Sequence, residues 1–302
     1  MTAGVQRDGR ILPLPAERSV VIYVVNQLPT CHYMLDVSIG SVRRHSRIPI
    51  VVFSPLRAAN LVERWENVFV IETRIERLSE VYFSRWRHLA RLPFERIVVV
   101  DADTYFYRSP EHLLEKYDEF DFYAREDLGA QRSRESMYVG GLKFSPQVDW
   151  DIVDGQRRDY AAKDLPLYNV GVMVFNNHFA DRLRPAVHLI QTLRRAWTDG
   201  TLPYPCTNHH IMDEIAASYA IGTVEGCTVG VLERRDVPFF VELEKSRASA
   251  SAVHIWRANY KRFLVQEFGR SILTSFEEAY REDLLLRARL ACAYQKGRSN
   301  CG

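Results

Sequence analysis

Three runs in the first quarter of the chain are apolar at nearly every position rather than at alternate ones: Val20–Val25, Ile48–Phe53 and Val68–Ile71. A strand with one wet face alternates in polarity. A continuous β-branched run suits a strand buried on both faces, as in a parallel sheet. Pro49 is expected at the start of its strand, where a missing donor does least harm. Stretches that can carry helices, residues 34–45 and 56–65, separate the runs, and that alternation is the βαβ signature. A further helix is predicted over residues 79–92, ending before Pro93, and it leads into a fourth buried strand at 96–100. The first hundred residues therefore read as a nucleotide-binding half built on a parallel sheet. The second half is less regular. Strands are predicted at 121–124 and 170–175 and helices at 181–197 and 207–219. Residues 145–165, rich in Asp, carry no period and read as a loop or lid. No internal repeat or low-complexity segment is present.

The chain has 302 residues, 47% of them hydrophobic, which is ample for a buried core. The organisation expected is a flexible tail over 1–18, one α/β domain over 19–265 with a central sheet flanked by helices, and a helical tail over 266–302. Forty Lys plus Arg against 38 Asp plus Glu leave a formal charge of +2, which gives no electrostatic case for nucleic acid as the main partner. The five cysteines (Cys31, Cys206, Cys227, Cys292 and Cys301) are widely spaced and contain no CxxC pair. That argues against a zinc site or disulfide framework and for a reducing cytoplasm. The first twenty residues hold five charges and no apolar stretch, so no signal peptide is expected. Apolar runs such as Ile97–Val100 fall far short of the roughly 20 residues of a membrane span.

The chemistry-bearing signal is Asp101-Ala102-Asp103, set at the end of the strand over 96–100. In open α/β sheets, ligands bind at the carboxyl ends of the strands. Two carboxylates one residue apart can share a hard cation such as Mg²⁺ or Mn²⁺, which also accepts phosphate oxygens. A departing nucleotide diphosphate needs that neutralisation. The plainer alternative is that Asp103 caps a turn and Asp101 is a solvated strand end. Downstream, Tyr168-Asn169-Val170-Gly171-Val172-Met173-Val174-Phe175-Asn176 is a strand with Gly171 in its interior. A glycine there marks close approach by a ligand or another backbone. Asn169 can offer a donor and an acceptor to a sugar hydroxyl; both residues also have ordinary packing and turn readings.

Together these segments resemble the GT-A glycosyltransferases. They are most similar to the retaining family that includes glycogenin and bacterial lipopolysaccharide galactosyl- and glucosyltransferases. The resemblance rests on "SRWRHLARLPFERIVVVDADTYFYRSPEHLL", "YNVGVMVFNN", "NHHIMDEIAASY" and "AVHIWRANYK", which keep the family's order and approximate spacing over residues 84–261. It implies a GT-A fold and a metal-dependent hexosyltransferase of retaining outcome. The donor implied is a nucleotide-diphosphate sugar, with UDP as the nucleotide, and the cofactor is Mn²⁺ or Mg²⁺. Carried over by position, Asp101 would lie near the ribose and the metal, Asp103 would bind the metal, and His254 would complete the shell. Lys261 would contact the diphosphate, Arg85 would lie near donor sugar and phosphate, Tyr23 sits on the base-binding strand, and Asn169 and Gly171 would line the sugar pocket. The family's Asp-Gln-Asp is replaced by Asn208-His209-His210, so that His209 stands for the glutamine near the anomeric carbon and Asn208 and His209 are the catalytic candidates. The step from His254 to Lys261 is seven residues, one more than in the family's pattern. The acceptor implied is a glycan, a lipid-linked sugar or a small molecule.

Several other readings stand beside this one. His209 with Asp213, and His210 with Glu214, are four apart and can form a salt-linked helix start. His254, flanked by apolar residues, can be a buried strand histidine. An inverting enzyme would need a carboxylate base, for which Asp213, Glu126 and Asp127 are candidates. A haloacid-dehalogenase-type phosphatase also carries Asp-x-Asp after an apolar strand, but it wants Thr two residues past the second Asp, where this chain has Tyr105. A catalytically inactive nucleotide-sugar-binding or scaffold protein of the same fold is favoured by the missing acidic pair. Leu284–Leu286 among basic residues can touch a membrane surface, the alternative being a helix packed on the domain.

Overall fold

A computed structural model of the chain describes residues 4–7, 10–13, 17–55, 64–73, 80–126, 138–139, 142–143, 168–184, 224–255 and 257–299, with residues 187, 191, 214, 217 and 221 singly. Most of the predicted helix over 56–65, most of that over 207–219 and the whole of the 145–165 segment lie outside the described residues.

The chain opens with an antiparallel pair, β1 (Gly4–Arg7) and β2 (Arg10–Pro13), within the segment read as a tail. Then come β3 (Ser19–Val24), α1 (Pro29–Arg43), β4 (Ile50–Ser54), β5 (Val68–Glu72), α2 (Glu80–Leu89), β6 (Arg96–Val100) and β7 (Thr104–Phe106). They are followed by α3 (Pro110–Lys116), β8 (Phe122–Glu126), the short pair β9 (Tyr138–Val139) and β10 (Leu142–Lys143), and β11 (Tyr168–Phe175). The described order ends with α4 (Phe179–Arg182), β12 (Val229–Val231), α5 (Leu243–Ser246), β13 (Ala252–His254), α6 (Arg257–Phe268) and α7 (Leu273–Ser299).

Seven strands form one mixed sheet in the order β12-β8-β11-β6-β3-β4-β5. β6, β3, β4 and β5 run parallel, as the continuous apolar runs require. β11 enters antiparallel between β6 and β8. Pro49 stands just before β4, and its carbonyl accepts from the Val21 amide at 2.9 Å.

Because successive side chains of a strand point to opposite faces, the sheet has two cores. Val20, Ile22, Val24, Val51, Phe53, Ile97 and Val99 face a layer containing Trp86 and Leu89 of α2. Val21, Tyr23, Ile50, Val52, Val98 and Val100 face Leu35, Ile39 and Val42 of α1. On β11 the alternation slips: Val170 and Met173 share the first layer, while Val172 and Val174 lie in the second. The slip matches a bulge, since Asn169 pairs with Arg125 but Met173 already pairs with Ala124. A third apolar cluster, with Tyr105, Val253, Tyr260, Phe263 and Phe276, joins β7 and β13 to α6 and α7.

Helix starts follow local chemistry. Ser109 accepts from the Glu111 amide at 3.3 Å, with Pro110 first in α3. α1 also begins on a proline but has no capping side chain of its own. Its Thr30 amide and hydroxyl instead donate to Asp283, a fully buried residue of α7, at 3.0 and 2.5 Å. Among the described residues, no helix is long and apolar enough to cross a membrane.

Candidate metal and donor site

The site forms where β6 ends. Asp101–Asp103 is a tight turn into β7, closed by the Thr104 amide donating to the Asp101 carbonyl at 3.1 Å. The turn holds both carboxylates at the carboxyl edge of the sheet, with side chains 28% and 14% exposed. β13 pairs antiparallel with β7 and sets His254 opposite Thr104; the Ile255 amide donates to the Asp103 carbonyl at 3.0 Å. His254 Nε2 consequently stands 3.7 Å from Asp101 Oδ2 and 3.3 Å from Asp103 Oδ1. One ligand atom from each of the three lies within 4.8 Å of the others.

This donor set fits a divalent cation. Two ligands at about 2.1 Å from an ion and at right angles stand about 3 Å apart, close to the separations seen here. Two carboxylate oxygens and an imidazole suit Mg²⁺, Mn²⁺ and their neighbours in hardness, and the partly exposed carboxylates leave room for further ligands.

The bulge of β11 forms the wall behind His254. A Cβ built on Gly171 would come within 2.3 Å of His254 Nδ1 and Cε1. Gly171 is therefore the position through which the imidazole reaches the site: the close approach predicted for it comes from a side chain rather than a ligand or another backbone. The Gly171 carbonyl accepts from the Asp101 amide at 2.9 Å, which ties the bulge to the turn. Asn169, 6% exposed, places its Oδ1 3.1 Å from His254 Nδ1 and 3.2 Å from the Gly171 amide.

Arg85 reaches the same place from α2. It is 3% exposed, donates to Asp101 Oδ1 and to the Val170 carbonyl at 3.0 Å, and so locks one oxygen of Asp101 while the other faces His254. Burial disfavours a charged His254, but the Asp103 carboxylate, its hydrogen bond and Asp101 outweigh this and Arg125 and hold the imidazole above its ordinary value.

Two further residues, Tyr23 and Lys261, were expected at the donor. β3 is where a base-binding strand was expected, but the Tyr23 side chain is 0% exposed in the layer under α1, its hydroxyl 2.8 Å from that of Ser38. Tyr23 is a core residue, because its position on the strand points it at the helix rather than at the strand end. Lys261 lies on α6, exposed, and forms an ion pair with Glu277 of α7 at 2.5 Å. Its neighbour Tyr260 is buried near the site: burial and then the Asp103 carboxylate raise its phenol. Asn208 and His209, like Asp127 and Asp213, lie outside the described residues. Sequence reading missed Arg125, which faces Asn169 across β8–β11, donates to Val237 at 3.2 Å, pairs with Glu242 at 2.8 Å and stacks over Phe239 at 3.6 Å. It braces the segment before β13, whose Pro238 carbonyl accepts from the His254 amide at 3.2 Å. A buried arginine whose partners, Val237, Phe239 and Glu242, lie more than a hundred residues away leaves no periodic trace in sequence.

No family model matches this chain, and no curated protein matches it. Solved structures do. The WbbM bifunctional glycosyltransferase, in its apo structure, superposes with a TM-score of 0.59 at 14% identity over 91% of this chain. The chain spans about half, 53%, of that protein's length. The galactosyltransferase LgtC, solved with donor and acceptor sugar analogues, gives 0.49 at 13% identity over 87% of this chain and 95% of that one. Mouse xyloside xylosyltransferase 1 in its apo form gives 0.47 at 15% identity, over 80% of this chain and 99% of that one. The mixed seven-stranded sheet, its flanking helices and the likeness to WbbM identify the fold of this chain as the GT-A fold of glycosyltransferases.

Proposed function

We propose that the chain transfers a hexosyl group from a nucleotide-diphosphate sugar, with UDP as the nucleotide, to an acceptor hydroxyl. The observation that carries this reading is the convergence of Asp101, Asp103 and His254 at the carboxyl end of β6 in a GT-A fold. These three residues would hold Mn²⁺ or Mg²⁺, which when bound supplies positive charge against the departing diphosphate.

The chain's own residues do the rest. Arg85 clamps Asp101, so that one carboxylate oxygen is spoken for and the other is presented to the cation site. The β11 bulge holds His254 from behind. Lys261 is the additional cation suited to the diphosphate; its exposed pair with Glu277 is weak in water and readily exchanged. As the bond from the anomeric carbon to the diphosphate breaks, the acceptor oxygen forms the new glycosidic bond through an oxocarbenium-like transition state, and the hydroxyl proton passes to the departing diphosphate oxygen. Asn208 and His209 are assigned to the anomeric side and a retaining outcome to the reaction, both on the sequence resemblance. The acceptor is a glycan, a lipid-linked sugar or a small molecule, and the wide spacing of the cysteines supports a reducing cytoplasm.

The test is calorimetry of UDP binding with and without Mn²⁺ on the wild type and on Asp103→Ala. We expect Mn²⁺ to tighten UDP binding to the wild type at least tenfold and to do nothing for a folded Asp103→Ala. Equal UDP affinity in the two proteins with Mn²⁺ present would overturn the metal assignment. Metal-dependent donor binding without any transfer or donor hydrolysis would favour a binding module of the same fold.

A further inference from the structure

The β11 bulge does more than make room for His254. Two hydrogen bonds converge on the Asn169 carboxamide oxygen, one from the Gly171 amide at 3.2 Å and one involving His254 Nδ1 at 3.1 Å. A backbone N–H can only donate, so the atom facing it is the oxygen and not the nitrogen of the carboxamide. The same oxygen can only accept from the imidazole. Nδ1 must then carry a proton, and in the neutral ring the lone pair is left on Nε2, the nitrogen that faces Asp101 and Asp103. On its other side the Asn169 carboxamide nitrogen faces the Glu214 carboxylate at 3.5 Å, the side on which a donor and not an acceptor belongs.

We propose that Asn169 is a positioning residue for the cation site, selecting the His254 tautomer that offers Nε2, and not the sugar-lining residue that its sequence position implies. This rests on the metal reading of Asp101, Asp103 and His254. The chemistry is that of a metal-bound histidine whose other nitrogen donates to a fixed acceptor: the donation orients the ring and raises its basicity. Gly171 and Asn169 divide the work, one giving the ring space and the other giving it a direction.

Asn169→Leu removes the acceptor at similar size, and Asn169→Asp keeps an acceptor oxygen. In metal-free protein with ¹⁵N-labelled histidine, at a pH where the ring is neutral, we expect the Nδ1–H tautomer in the wild type and in Asn169→Asp, and a mixture in Asn169→Leu. In Mn²⁺ titrations followed by electron paramagnetic resonance, we expect Asn169→Leu to bind about 10- to 100-fold more weakly and Asn169→Asp to stay within a few fold of the wild type. An unchanged Mn²⁺ affinity in Asn169→Leu, where Asp103→Ala abolishes binding, overturns the positioning role alone. Mn²⁺ binding that Asp103→Ala leaves intact overturns the metal reading, while the tautomer measurement still reports on Asn169. A wild type holding the Nε2–H tautomer overturns the proposal outright.

Discussion

At the scale of single residues, the site depends on a missing side chain. An alanine at 171 would drive its methyl into the His254 ring, which is itself 6% exposed and cannot swing away freely. We expect Gly171→Ala to weaken Mn²⁺ binding at least tenfold and to cost about 1–3 kcal/mol of stability, read by metal titration and by denaturant unfolding; binding and stability equal to the wild type would contradict the close approach. His254 also sets a pH dependence. Its folded value is raised, chiefly by the carboxylates working against burial, so the charged ring stabilises the metal-free fold fully below the ordinary histidine value of 6.5. That contribution disappears as pH rises through the raised value. A cation needs the neutral ring, so apparent Mn²⁺ affinity should rise over the same window by about tenfold per pH unit. A titration series across that window checks the sign, and affinity that falls with rising pH would contradict it.

At the scale of elements, what was legible in sequence is what local pattern encodes. The parallel strands were legible because each is a continuous apolar run, and the helix from Glu80 was legible because Pro93 follows it closely. The Asp101–Asp103 turn was legible because its strand is apolar up to the first carboxylate. What sequence did not carry is pairing between distant segments. The register that sets His254 against Thr104 joins residues 150 positions apart with no local signal, and it brings the imidazole to the turn. The β11 bulge, which turned Asn169 toward the histidine, is likewise a property of its two neighbours. The same holds for the start of α1, whose cap comes from Asp283 some 253 residues later. Asp283→Ala would leave the buried Thr30 amide without that partner, and we expect a loss of about 1–3 kcal/mol, with α7 loosened from α1. Denaturant unfolding and hydrogen exchange of the Thr30 amide measure it; unchanged stability and exchange would show that the cap is not what fastens the two helices.

At the scale of the whole molecule, the sheet, the turn and the C-terminal helices act as one support. β6 carries the turn to the sheet edge, and β13 returns to pair with β7. The apolar cluster beneath that pair fastens it to α6 and α7. Ligands that bind this edge bind the folded state alone and raise the melting temperature by mass action. The most direct measurement is a thermal-shift series of the full chain against nucleotide sugars, each with and without Mn²⁺. We predict a rise in melting temperature for at least one UDP-sugar that requires Mn²⁺ and is lost in Asp103→Ala. No shift with any nucleotide sugar, whether or not Mn²⁺ is present, would contradict the proposed function and leave Asp101 and Asp103 as an ordinary strand-end turn.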